Sequence, residues 1–241
     1  MVSFIVFNKK VYKLIFLVTC DENELSISLE LNIRCLRYEH RLFVLFYKSD
    51  SFFWKEFMAV NLVKGQRSNI ETNSFNVGLG WDINSRGESD LDVTAFMLDE
   101  SGNTISESFI VFYNQLESAD KAVVHTGDNR TGDGDGDDEV ISVDISKLDS
   151  RVDQIVFVVT IHEAEERGQN FGQVRNSYIR ITDKKSNEEI MIYELDEDYS
   201  VEKSIEFGRL YKRSGQWKFE AMGIGYMEDL GFFVQKYGLE V

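Results

Sequence analysis

The stretch Ile155-Val156-Phe157-Val158-Val159-Thr160-Ile161 carries no charge, and six of its seven residues are β-branched. An apolar run this short, with stiff branched side chains, is a strand covered on both faces rather than a helix. It reads as a central strand, and the neighbouring sequence supplies partners for it. Upstream, Leu91–Leu98 (LDVTAFML), led in by Asp90, is a second buried strand, and Ser108–Tyr113 (SFIVFY), closed by Asn114, is a third. Asn76-Val77-Gly78-Leu79-Gly80-Trp81-Asp82 is a strand relieved by glycines, which permit close backbone approach. Downstream, Ser177–Thr182 and Glu189–Leu195 form a hairpin across Lys184-Lys185-Ser186-Asn187, and Ile205–Tyr211 and Gln216–Met222 form another across Lys212-Arg213-Ser214-Gly215. Leu230–Tyr237 (LGFFVQKY) is the best candidate for a helix. No βαβ alternation and no fixed repeat appears. The expected fold is mainly β, an antiparallel β-sandwich with one or two short helices.

Between the strands lies Gly127-Asp128-Asn129-Arg130-Thr131-Gly132-Asp133-Gly134-Asp135-Gly136-Asp137-Asp138-Glu139, with six carboxylates, four glycines and one cation. Carboxylates this close repel one another and resist ionisation unless a cation sits among them. The run leads straight into Val140-Ile141-Ser142-Val143-Asp144-Ile145, an alternating strand, so it is anchored and is no free acidic tail. Oxygen ligands on a glycine-rich loop suit a hard ion that takes roughly six to eight oxygens, which is Ca²⁺ more than Mg²⁺. Gly127 to Gly132 has phosphate-loop spacing, but Asp133-Gly134 stands where Lys-Ser/Thr is required. Asp133, Asp135 and Asp137 imitate the opening of an EF-hand loop, yet Asp138 occupies the glycine position and no amphipathic helix flanks it. Asp90-Leu91-Asp92 sets two carboxylates on one side of a strand end, where they read as metal ligands, and Asp82 ends another strand.

Other chemistry is poorly supplied. His162-Glu163-Ala164-Glu165-Glu166 begins like a zinc-protease helix, but Glu166 replaces the second histidine. His40, His125 and His162 are scattered; His125 stands two residues before the acidic run and can pair with a carboxylate there. No serine occupies a G-x-S-x-G elbow. Gly223-Ile224-Gly225 lacks the third glycine of a dinucleotide fingerprint, since Glu228 holds that place, and reads as tight packing.

The chain has 241 residues, 26 Lys+Arg against 42 Asp+Glu, and a formal net charge of −16. Such a surface disfavours nucleic acid and anionic membranes and favours cations. A hydrophobic content of 43% marks a globular chain. No apolar run is long enough to span a membrane, so no direct membrane insertion is expected. Residues 1–57 differ in character: eight basic and seven acidic side chains, both cysteines (Cys20 and Cys35), and apolar strands at Ser3–Phe7, Tyr12–Thr19, Leu25–Ile33 and Leu42–Tyr47. Lys9, Lys10 and Lys13 before Leu14–Cys20 imitate a signal peptide only faintly, because the apolar core is short. Met58-Ala59-Val60-Asn61-Leu62-Val63 reads like the start of a protein. Residues 1–57 are therefore expected to be an N-terminal extension, or translated upstream sequence, and residues 58–241 the main domain.

The main domain resembles the TerD family of tellurium-resistance and stress-response proteins. The resemblance rests on Val77-Gly78-Leu79-Gly80-Trp81-Asp82, Asp90-Leu91-Asp92, Phe112-Tyr113-Asn114, His125-Thr126-Gly127-Asp128-Asn129-Arg130-Thr131-Gly132 and Gly134-Asp135-Gly136-Asp137-Asp138-Glu139. It continues through Val158-Val159-Thr160-Ile161, Phe171-Gly172-Gln173-Val174 and Gly225-Tyr226. It implies a β-sandwich that binds Ca²⁺ through its acidic loops, a cytoplasmic setting, no established catalysis, and partnership with other tellurium-resistance proteins, some of them membrane-embedded. The ligand candidates are then Asp82, Asp90, Asp92, Asp128, Asn129, Asp135, Asp137, Asp138 and Glu139. The alternative is a divalent-metal-dependent hydrolase using the same acidic cluster, which needs an open coordination position and a placed base or nucleophile.

Overall fold

The computed structural model describes residues 18–21, 24–27, 37–38, 41–48, 51–82, 90–126, 136–195 and 199–240, with side chains from residue 59 onward. The chain divides into two compact units, Met1–Met58 and Ala59–Val241. In the first, β1 (Val18–Asp21) pairs antiparallel with β2 (Glu24–Ile27), and β3 (Arg37–Tyr38), β4 (Arg41–Lys48) and β5 (Ser51–Met58) form a three-stranded antiparallel sheet. The apolar run Leu42–Tyr47 is the middle of β4. The pattern does not mark β5, where the consecutive Phe52-Phe53-Trp54 breaks alternation. Ser3–Phe7, most of Tyr12–Thr19 and the end of Leu25–Ile33 lie outside the described residues.

The second unit runs β6 (Val60–Leu62), β7 (Arg67–Asn69), β8 (Ser74–Asp82), β9 (Leu91–Leu98), β10 (Ile110–Val111), β11 (Val123–His125), β12 (Glu139–Asp144) and β13 (Gln154–Ile161). A short helix α1 (Ala164–Arg167) follows, then β14 (Arg175–Asp183), β15 (Glu189–Glu194), β16 (Ser204–Arg213), β17 (Gln216–Tyr226) and α2 (Leu230–Lys236). Two six-stranded sheets result, one ordered β11-β12-β8-β14-β15-β6 and the other β10-β9-β13-β16-β17-β7. Pairing is antiparallel except between β15 and β6. The mainly-β expectation holds, with two short α-helices.

Alternation decides what lies between the sheets. Phe75, Val77, Leu79 and Trp81 of β8 face Val93, Ala95 and Met97 of β9 and Ile155, Phe157 and Val159 of β13 in one continuous core. The intervening residues of β9 and β13 do not reach water, because α2 covers part of that outer face. Phe96, Leu98, Val156 and Val158 pack there against Phe233 and Tyr237. This double covering explains why LDVTAFML and IVFVVTI lack a polar alternation. The cover is pinned by Glu206, nearly fully buried under α2, which accepts hydrogen bonds from Tyr226 Oη at 2.9 Å and from Lys236 Nζ and Tyr237 Oη.

One strand expectation is corrected. Ser108–Tyr113 forms only the two-residue β10, because Glu107–Phe109 turns as a 3₁₀ helix and Phe112 bonds back to Gln115. The glycines of β8 also act differently from the sequence reading. Side chains, not backbone, approach them: a Cβ at Gly78 would stand 2.1 Å from Asp137 Oδ2, and one at Gly80 would stand 2.3 Å from Tyr178 Cζ.

Candidate metal centre

Three strand ends meet at one end of the sandwich. β8 finishes at Asp82, β9 begins after Asp90, and β12 begins at Glu139, which is in register with Leu79 of β8. The acidic run therefore enters the fold beside Asp82, and β12 stands across from the start of β9. Of the predicted ligands, Asp128, Asn129 and Asp135 lie outside the described residues; Asp82, Asp90, Asp92, Asp137, Asp138 and Glu139 are placed.

Consecutive carboxylates of the run go in three directions. Asp137 lies on the outer face of the first sheet, over the bare Cα of Gly78. Its Oδ1 accepts from Arg180 Nε at 2.7 Å and from Tyr178 Oη at 3.1 Å. Arg180 also donates to Glu189 Oε2 at 3.2 Å. Burial and the adjacent Asp137 push the Tyr178 phenol above its usual range, so it stays a donor. Asp138 extends the β8–β12 ladder: its N–H donates to Leu79 O at 2.7 Å, and its Oδ2 accepts from Trp81 N–H at 3.0 Å. Glu139 turns inward, on the same face as Ile141 and Val143.

Glu139 spans the sandwich. Its side chain is 1% exposed, and its Oε2 accepts from Val93 N–H of β9 at 2.5 Å. Its Oε1 lies 3.5 Å from Nε2 of His125, which is also buried, on β11 beside Ile141. Neither His125 nitrogen nor Glu139 Oε1 completes a hydrogen bond among the described residues. Orphaned polar atoms at such depth are satisfied by a proton, a water or an ion in most proteins. Burial pushes the Glu139 carboxyl up to about 7; the contacts with His125 and Val93 pull it down, and Asp92 adds to the upward push. The folded pKa is thus above the usual 4.5, so the stability it lends is complete below that value and is lost as pH rises toward 7. Ionised Glu139 is a strain that a nearby cation would relieve. In chelator, Glu139→Gln is expected to stabilise the protein at about pH 8 by up to roughly 3 kcal/mol and to change little at about pH 4. Thermal melts at the two pH values check it; equal effects at both would reject the assignment.

The remaining candidates sit on β8 and β9. Asp82 is exposed and accepts from Asn176 Nδ2 at 2.5 Å. Asp90 is half-buried, and its carbonyl accepts the His162 N–H at 2.8 Å. Asp92 is in register with Thr160 and brings Oδ2 to 3.2 Å from His162 Nδ1. The His162 ring stands edge-on to Tyr113 with centroids 6.2 Å apart, and its Nε2 is 3.7 Å from Glu163 Oε1. His162, Tyr178 and Arg180 are the residues that the sequence reading missed. A register would have exposed them: Tyr178 and Arg180 stand opposite Gly80 and Gly78, and His162 follows Thr160 by two.

The strand ends thus gather carboxylates from three elements. Asp82, Asp92, Asp137, Asp138 and Glu139 each also have a framework partner, and among the described residues no three His, Cys, Asp or Glu side chains converge as a ligand set. The donors fit a hard cation chemically: oxygens only, net negative, with buried Glu139 Oε1 lacking a full hydrogen bond. Among the described residues, no helix is long and apolar enough to cross a membrane.

Comparison with known proteins agrees with this architecture. A model of the TerD domain matches residues 58–237. General stress protein 16U of Bacillus subtilis is 46% identical, with 76% of this chain and all of that protein aligned. Tellurium resistance protein TerD of Serratia marcescens is 43% identical, over 76% of this chain and 98% of its own length. A solved homologue of telluride resistance protein TerD from Streptomyces coelicolor, SCO6318, shares the fold with a TM-score of 0.55 at 18% identity, covering 70% of this chain and 99% of its own. In sequence and in the sandwich that carries the acidic strand ends, this chain belongs to the TerD family, whose members are named for tellurium resistance and stress response.

Proposed function

We propose that this chain is a non-enzymatic, cytoplasmic Ca²⁺-binding stress-response protein whose ion-bound state is read by other tellurium-resistance proteins, some of them membrane-embedded. The carrying observation is that Asp137, Asp138 and Glu139, the end of the acidic run, stand where β8 ends and β9 begins. One run of sequence is thereby set beside carboxylates from two other strands. Asp128, Asn129 and Asp135, which lie outside the described residues, are assigned as ligands on the sequence alone. Asp82, Asp90, Asp92, Asp138 and Glu139 complete the oxygen set, and Asp137 contributes while tied to Arg180. The ion supplies positive charge that offsets mutual repulsion within the run and the buried charge of Glu139. The hydrolase alternative gains no observation in its favour among the described residues.

Isothermal calorimetry tests the assignment. Asp135→Ala is expected to remove at least one Ca²⁺ from the stoichiometry. Asp137→Ala should do the same and in addition lower the melting temperature of the ion-free form, since it strips Arg180 of the nearer of its two carboxylate partners. Unchanged stoichiometry in both variants rejects the site. We also propose that Met58–Val241 is self-sufficient: expressed alone, it should match the full chain in melting temperature and Ca²⁺ uptake. Aggregation of the shorter form would place residues 1–57 within the folding unit.

A further inference from the structure

The second sheet has an outer face of two halves. One half lies under α2 and is apolar. The other, toward the β16–β17 turn, is cationic on a chain whose net charge is −16. Strand register sets its rows: Arg209, Glu220 and Arg67 stand side by side, and Tyr211 and Lys218 form the next row, with Arg213 one step beyond Tyr211. Glu220 is held from both ends. Arg67 donates from Nε at 3.0 Å and Nη2 at 2.8 Å, and Arg209 from Nε at 2.9 Å and Nη2 at 2.7 Å. Arg209 also lies over the Tyr211 ring at 5.0 Å. One carboxylate is shared by two arginines, and among the described residues Lys218 and Arg213 form no ion pair.

Among the described residues, the edge beside this face has no further strand paired to it. β7 is the last strand of its sheet and spans only three residues. Ala221 N–H donates to Gln66 O, and Ile70 N–H donates to Trp217 O, so the even-numbered residues turn their backbone groups toward β17. Arg67 and Asn69 then turn theirs outward, as antiparallel alternation requires. An unpaired edge next to an uncompensated cationic face is a template for an added strand of opposite charge.

We propose that β7 and the adjoining cationic face dock an extended acidic segment of a partner protein. The segment adds alongside β7, with carboxylates on alternate residues of the outer face beside Arg67 and Lys218, while Arg209 and Arg213 on β16 add to the positive field of the patch. Glu220 already shows that this face receives a carboxylate in a two-sided guanidinium grip. A short segment is favoured over a polyanionic lattice by range. Screening limits exposed charges to about 8 Å at physiological salt, so a segment confined to the patch feels mainly these cations. A membrane or nucleic acid extends beyond the patch and meets the acidic remainder. The site is separate from the acidic run and does not depend on Ca²⁺.

Fluorescence anisotropy with the full chain and a labelled peptide alternating Glu and Val provides the test. The peptide is expected to bind at low salt, and its Gln-for-Glu counterpart about tenfold or more weakly. Lys218→Glu combined with Arg213→Glu alters side chains with no ion pair to another described residue, so it should keep the wild-type melting temperature while weakening binding about tenfold. No binding of the acidic peptide, equal binding of the Gln peptide, or unchanged affinity in the double variant overturns the proposal. So does binding to phosphatidylglycerol vesicles in place of the peptide.

Discussion

Millimolar Ca²⁺ is expected to raise the melting temperature of this chain by about 5–10 °C over a chelator-treated sample, with Mg²⁺ giving a smaller rise. An ion present at about 100 times its dissociation constant adds roughly 2.7 kcal/mol to the folded state. For a domain of this size, each kcal/mol moves the midpoint by about 2–4 °C. The physical source is local. Residues 127–139 hold six carboxylates and one cation, and Glu139 is buried with its carboxyl raised to about 7. The ion-free protein therefore carries repulsion that a bound cation removes, and the gain should increase as pH rises through 7. Mg²⁺ demands a smaller, stricter octahedron and sheds water reluctantly, so it should relieve less. A melting curve that stays in place between chelator and Ca²⁺ would falsify the ion-binding proposal.

Gly78→Ala is expected to destabilise the ion-free protein by about 2–3 kcal/mol, although it adds a single methyl group to a strand. The added Cβ would fall 2.1 Å from Asp137 Oδ2 and 2.2 Å from its Cγ, far inside contact distance. Asp137 cannot simply swing aside, because Arg180 Nε and Tyr178 Oη hold the same oxygen. Either the start of β12 lifts from β8, or the ion pair opens and leaves Arg180 with Glu189 alone. Gly→Ala normally stabilises a strand slightly through the unfolded state, so the sign of the effect is diagnostic. Urea unfolding reads it directly. A Gly78→Ala protein as stable as wild type would show that the Asp137 carboxylate does not rest on this strand.

Much of the fold follows from local pattern. The uncharged β-branched run 155–161, the alternation of Val140–Ile145 and the two downstream hairpins each specify a strand through side chains one or two positions apart, whatever lies elsewhere. The sandwich follows, since such strands have to bury their apolar faces against one another. The acidic run is equally legible as a place for a hard cation, because like charges at consecutive positions repel in any conformation. β5 and the two-residue β10 escaped the pattern because pairing and turn formation, not composition, set their limits.

Local sequence suffices for most of the strands and for the crowding of the carboxylates of 127–139. The tertiary structure alone decided what each carboxylate faces. Asp137, Asp138 and Glu139 are equivalent as text, yet one meets Arg180 on the outer sheet face, one meets the Trp81 N–H, and one crosses the core to Val93 with its other oxygen near His125 of the neighbouring strand. Strand alternation separates outward from inward, but the partner at the end of each side chain comes from a strand dozens of residues away. The free energy of a carboxylate depends on that partner and on its distance from water more than on its neighbours in sequence.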